Sequence, residues 1–180
     1  ALDHAIDGNF DSSIEKILKT RFGLDQLRPK QKEVISNILA GRHTLAFLPT
    51  GYGKSLCYQL PSQVLPGVTV VISPLIALMH DQVNGLIRRG IRNATMLNSS
   101  LDAEQLDERI SGIRRGQYKL VYVAPERLES PRFRSLLQSL DISLLVIDEA
   151  HCISQWGHDF RPQYRNIRSY LSLMPTATIL

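Results

Sequence analysis

The sequence predicts an α/β fold, a mostly parallel central sheet with helices on both faces. Three observations lead there. Short apolar runs alternate with longer amphipathic stretches along most of the chain, the pattern of strand–helix–strand units. One run, residues 44–48, leads straight into Pro49-Thr50-Gly51-Tyr52-Gly53-Lys54-Ser55. Another, Leu144-Leu145-Val146-Ile147, ends on the adjacent carboxylates Asp148 and Glu149.

The elements follow in order. Residues 11–21 place Ile14, Ile17 and Leu18 on one helical face, with Asp11 or Ser12 as the cap and Phe22-Gly23 as the stop. Pro29 suits the first turn of a helix reaching about residue 39, striped by Val34, Ile35, Ile38 and Leu39 and closed by Gly41. Residues 44–48 read as a short strand covered on both faces. A helix over 54–65 should kink or end near Pro61. Residues 68–73 form the next strand. A helix over 74–89 follows, burying Leu75, Leu78, Met79, Val83 and Leu86. Then come a strand at 94–97, a helix at 102–115, a strand at 120–123, a helix at 131–140, a strand at 143–147, a helix at 163–173 and the start of a strand at 178–180. With no repeat, linker or low-complexity run, the chain reads as one domain.

Bulk properties bound the function. A chain of 180 residues can bury one sizeable core. Its net charge of +4 permits a polyanionic partner without demanding one. No apolar run approaches the roughly 20 residues of a membrane span, and Ala1-Leu2-Asp3-His4 carries no basic leader. Opening on Ala1 suggests a processed or excised piece. Cys57 and Cys152 are too few and too far apart for a disulfide framework or a cysteine-only zinc site, so a reducing, intracellular setting is expected.

The chemistry sits at the strand ends. Gly51 and Gly53 let the backbone bend so that successive N–H groups face one hollow, which suits a phosphate at the start of the following helix. Lys54 adds a cation that can reach the outer phosphates, and Ser55 a hydroxyl for a magnesium ion. The match is incomplete, because Leu48 stands where the general pattern has glycine and Tyr52 where many such loops carry a small residue. An ordinary strand-to-helix turn with a surface lysine is the plainer alternative. The carboxylates decide against it. Asp148 leaves a buried strand at its carboxyl end, where open α/β sheets bind ligands; it can hold the metal while Glu149 orients and deprotonates the attacking water.

Downstream, residues 151–162 combine Trp156, Phe160, His151, His158 and Arg161 without helix or strand period. Aromatic faces beside a guanidinium suit a single nucleic-acid strand; a loop whose aromatics plug the core is the alternative. Attachment to the paired carboxylates favours a loop that reports one site to the other. His43 and His80 read as solvent-facing or structural, and Arg88-Arg89, Arg114-Arg115, Arg132 and Arg134 as solvated helix faces.

Four segments now carry a resemblance. PTGYGKSLCYQ at 49–59, VISPLIALMHDQV at 71–83, YVAPERL at 122–128 and DEAHCISQWGHDFRP at 148–162 together resemble the RecQ family of superfamily 2 DNA helicases, over nearly the whole chain from Phe22 onward. The resemblance implies a three-layer P-loop NTPase (RecA-like) fold, with the chain as the first of two lobes that hold ATP and Mg2+ between them. It implies adenine recognition by an element containing Phe22, Arg28 and Gln31, with Leu27 where an aromatic is usual. It places Pro49, Thr50, Gly51, Tyr52 and Gly53 around the phosphates, with Lys54 and Ser55 as the phosphate and magnesium residues. Asp148 and Glu149 become the metal and water-activating carboxylates. Gln155, Trp156, His158, Phe160 and Arg161 fall in the loop coupling DNA binding to hydrolysis. Ser73-Pro74-Leu75 and Asn98-Ser99-Ser100 lie near the DNA path. Thr176-Ala177-Thr178 looks like the family's Thr-Ala-Thr motif, but spacing from Arg161-Pro162 puts that motif just past Leu180.

The function implied is ATP-driven 3′–5′ movement on single-stranded DNA and separation of duplexes in repair and recombination, in the cytoplasm beside the nucleoid of a bacterium or in a eukaryotic nucleus. Two rivals stand beside it: an isolated lobe that binds nucleotide or DNA without turnover, and a superfamily 2 motor acting on RNA. A small-molecule kinase is a distant third, since nothing reads as a phosphate-acceptor pocket.

Overall fold

The computed structural model describes residues 12–49, 51–148 and 177–179. Among these residues six parallel strands form one sheet in the order β1-β6-β5-β2-β4-β3. The strands are β1 (Thr44–Leu45), β2 (Val68–Ile72), β3 (Ala94–Leu97), β4 (Leu120–Val123), β5 (Ile142–Ile147) and β6 (Ala177–Ile179). The helices are α1 (Ser12–Phe22), α2 (Pro29–Leu39), α3 (Leu56–Val64), α4 (Ile76–Arg88), α5 (Ala103–Arg114) and α6 (Pro131–Ser139).

Strand periodicity splits the apolar residues into two cores. Val71, Leu120, Tyr122, Leu144 and Val146 face one side, against Ile14 of α1, Ile35 of α2, Leu60 of α3 and Met79 of α4. Val70, Ile72, Val121, Leu145 and Ile147 face the other, against Ile113 of α5 and Leu136 of α6. Because successive side chains of a strand point to opposite faces, continuous apolar runs such as Val68–Ile72 are what a doubly covered sheet requires. Each fully buried aliphatic side chain here stabilises the fold by about 1.5–3 kcal/mol relative to exposure.

Most predicted elements stand within a residue or two of their expected bounds. Asp102 caps α5 by accepting the Gln105 N–H at 2.8 Å, while the Gln105 side chain accepts the Asp102 N–H at 3.0 Å, a reciprocal pair at an otherwise open helix end. Three expectations need correction, and one element escaped the sequence reading. The strand at 44–48 is not covered on both faces: only Thr44 and Leu45 pair, with β6 alone, and Ala46 is buried while Leu45 and Phe47 are 62% and 81% exposed. An edge position, among the described residues, leaves it one covered face. Of the kink or end expected near Pro61, the end does not occur: α3 runs through it to Val64. The first turn there is instead tightened, with the Cys57 N–H donating to the Lys54 carbonyl three residues back. Leu75 is exposed because α4 starts only at Ile76. A 3-10 turn, Pro125–Glu129, was not anticipated. The helix expected at 163–173 lies outside the described residues.

Candidate nucleotide site

The site assembles where the carboxyl ends of β1 and β5 meet the amino ends of α2 and α3. β5 pairs with β2 up to Ile147, and the next residue donates its N–H to the Ile72 carbonyl at 2.9 Å. This fixes Asp148 at the strand's end with only 3% of its surface exposed. A buried carboxylate needs a compensating charge. Lys54 supplies it, with Nζ 2.8 Å from Oδ1 of Asp148. Two segments far apart in sequence thus place the loop lysine on the strand-end carboxylate.

The loop between β1 and α3 bends as predicted. Gly51 and Gly53 take φ of 81° and 85°, values that favour glycine. The Tyr52 N–H donates to the Pro49 carbonyl at 3.1 Å. At Gly53 a Cβ would also run into the Gln31 amide. Ser55 lies at the start of α3, half-buried.

The start of α2 grips this loop. Gln31 is buried, and its side-chain amide donates to the carbonyls of Tyr52 and Gly53, both at 3.0 Å, while its oxygen accepts the Arg28 N–H at 2.9 Å. Both amide protons are therefore engaged by the glycine loop. In this arrangement Gln31 clamps the loop, and reading a base through those protons requires releasing it. Arg28 donates from Nη1 to the Gly51 carbonyl at 3.1 Å and sits over the Tyr52 ring, 5.1 Å from its centre. Arg28, Gln31, Tyr52 and Ser55 line one cavity of about 410 Å³, together with Phe22 and Leu24. That size suits a small organic ligand.

Several contributors were not recognised as site residues in the sequence. Gln59 donates to Gln82 on α4 at 2.7 Å and to the Tyr122 hydroxyl at 3.1 Å, joining the cavity wall to the sheet. The Tyr122 hydroxyl in turn donates to that of Tyr58 at 3.3 Å. Burial pushes the Tyr122 phenol up to about 12, with the nearby Asp148 charge adding to it, and raises Tyr58 well above its usual range; both stay neutral donors. Arg89 is also more than a solvated charge: it donates to the Phe22 carbonyl at 2.9 Å and packs over that ring at 5.7 Å, steadying one wall of the cavity. Gln59 and Gln82 lie within segments that carried the resemblance; Arg89 had no sequence signal beyond its charge. Cys57 is fully buried, and burial pushes its thiol up to about 12, leaving it an inert core residue.

The segments expected near DNA are only partly accessible. Ser73 is buried, and its hydroxyl lacks a hydrogen-bond partner among the described residues. Asn98 is fully buried, accepting the Ser100 N–H at 2.8 Å and donating toward the Met79 sulfur at 3.9 Å. Asn98 therefore shapes the turn after β3 from within, while Ser99, Ser100 and Leu75 are exposed and Pro74 is half-buried. Arg127 donates to the Asn98 carbonyl at 2.7 Å, tying the 3-10 turn to the same corner. Thr50, Glu149, Gln155, Trp156, His158, Phe160 and Arg161 lie outside the described residues.

Known proteins share both sequence and fold. The DEAD/DEAH box helicase family matches residues 28–180. The chain is 50% identical to the ATP-dependent DNA helicase RecQ of Bacillus subtilis (strain 168), over 85% of this chain and 26% of that protein. It is 47% identical to the probable ATP-dependent DNA helicase RecS of the same organism, over 87% of this chain and 31% of that one. It thus spans about a quarter to a third of their length. A hypothetical ATP-dependent RNA helicase from Sulfolobus tokodaii superposes with a TM-score of 0.74 at 19% identity, over 94% of this chain and 50% of that one. The DUF1998 helicase MrfA bound to DNA gives 0.70 at 22%, over 96% and 26%. These two likenesses show a shared fold.

Proposed function

On the premise that this chain belongs to the DEAD/DEAH box helicase family, we propose that it is the first, ATP-binding lobe of a RecQ-type motor that moves 3′ to 5′ along single-stranded DNA and separates duplexes. The observation that carries the reading is the 2.8 Å contact between Lys54 and Asp148. It brings together the phosphate-binding cation and the strand-end carboxylate that phosphoryl transfer needs within reach of each other. The RecQ and RecS relatives are named as DNA helicases, which supports DNA over RNA as the track.

In this reading the loop N–H groups and Lys54 hold the phosphates, and the cavity beside Arg28 takes the base. The Ser55 hydroxyl and the Asp148 carboxylate are the hard oxygen donors that Mg2+ prefers, so the residues present fit that ion. When bound, the ion would neutralise charge on the phosphate oxygens. Nucleotide binding then releases Lys54 from Asp148, freeing the lysine for the phosphates and the carboxylate for its metal role. Glu149 activates the attacking water. The loop bearing Gln155, Trp156, His158, Phe160 and Arg161 couples DNA to that step, and a second lobe completes the site with an arginine.

The test is magnesium-dependent nucleotide binding and steady-state ATP hydrolysis by this chain and by the two-lobed protein, with single-stranded DNA or RNA. Nucleotide binding lost in Lys54→Ala, with hydrolysis in the two-lobed protein stimulated by DNA and abolished in Glu149→Gln, is the expected outcome. Stronger stimulation by RNA would overturn the DNA assignment. Binding without turnover in the two-lobed protein would leave only a nucleotide-binding module.

A further inference from the structure

The start of α2 poses a capping problem. Helix amino ends leave backbone N–H groups without partners, and the residue before α2 is Arg28, whose side chain has no acceptor. Gln31 covers the Arg28 N–H. The Lys30 N–H is covered from outside the helix: it donates to the Tyr52 hydroxyl at 3.1 Å, from a residue 22 positions along the chain. The phosphate loop therefore caps the helix that bears Arg28.

The same side chain fixes Arg28 itself. The guanidinium is planar and lies over the Tyr52 ring at 5.1 Å, while Nη1 is held by the Gly51 carbonyl at 3.1 Å. One face of the plane is thus taken. Arg28 is exposed and lines the same cavity as Phe22 and Leu24, which leaves the opposite face for a ligand held there. Tyr52 thereby meets both the loop that would hold phosphates and the cation beside the base.

We propose that Tyr52 is a positioning residue for the nucleotide base: its ring backs the Arg28 guanidinium so that the opposite face stacks on a purine. The inference rests on the nucleotide reading given above and extends it from the phosphates to the base. A guanidinium on an aromatic face is held by the ring's electron density, and a side chain fixed in advance loses less freedom when the base arrives.

The experiment compares Tyr52→Leu with Tyr52→Phe in this 180-residue chain. Both lose the hydroxyl that caps Lys30; only the second keeps the aromatic face. Binding of ADP and of inorganic pyrophosphate, each with magnesium, separates base from phosphate. Tyr52→Leu should bind ADP about fivefold more weakly than Tyr52→Phe does, while the two variants take up pyrophosphate within about twofold of each other. Arg28→Ala should remove the difference between the two variants. Equal loss of ADP and pyrophosphate would make Tyr52 a loop-shaping residue and overturn the proposal, as would equal behaviour of Leu and Phe. If the parent chain takes up ADP and the variants match it, this inference alone falls. If the parent takes up neither ligand, the nucleotide reading falls and this inference with it.

Discussion

β1 and β2 begin as similar sequence and end as different structure. Thr44-Leu45-Ala46-Phe47-Leu48 and Val68-Thr69-Val70-Val71-Ile72 are both short apolar runs. β2 lies between β4 and β5 and is buried throughout. β1 pairs along two residues, and its Leu45 and Phe47 are exposed. The difference teaches where rigidity resides. The carboxylate of Asp148 hangs from the sheet's interior, held by β2. The glycine loop hangs from the edge and gets its order from α2, through Gln31, Arg28 and the Lys30 N–H.

Substitutions can break that comparison. The largest effect should come from the interior. Leu144→Ala removes a fully buried side chain between the sheet and its helices and should cost about 2–5 kcal/mol in urea unfolding. A smaller loss would mean that the centre of the sheet is not the rigid half. Next comes the loop: Gly53→Ala meets both a left-handed backbone and the Gln31 amide. It should cost about 1–3 kcal/mol by thermal unfolding, and nucleotide affinity should fall alongside. An unchanged melting temperature would show that the Gln31 clamp is not part of the ground state. The smallest effect belongs to the edge. Phe47→Ser should shift stability by no more than about 0.5 kcal/mol, as exposed positions do. A large destabilisation would place Phe47 inside a packed contact and remove the asymmetry between the strands.

Much of the fold was legible because local rules agree with the global arrangement. The strands at 94–97 and 120–123 stand at their expected residues, since short β-rich runs bounded by polar turns leave few alternatives. That Lys54 and Asp148 share one site followed from two motifs that supply complementary parts of it; their direct ion pair came only from the structure. What escaped depends on contacts between segments. Gln31, expected beside the base, also clamps the glycine loop; Asn98, expected near the DNA path, is buried. Arg89 looked solvated and packs on Phe22. Neither periodicity nor composition says which distant backbone carbonyl or ring a polar side chain will meet.

By itself the sequence determined the alternation of strands and helices, the bent glycine loop and the chemical kinds of group at the site, because these follow from side-chain period, backbone freedom and charge. Only the tertiary structure decided that β1 lies at the edge among the described residues, that Tyr52 caps a helix it does not belong to, and that Gln59 and Gln82 join the cavity to the sheet. Those outcomes depend on which surfaces meet when the layers pack. Apolar burial drives that packing without direction, and hydrogen-bond geometry then selects the partners.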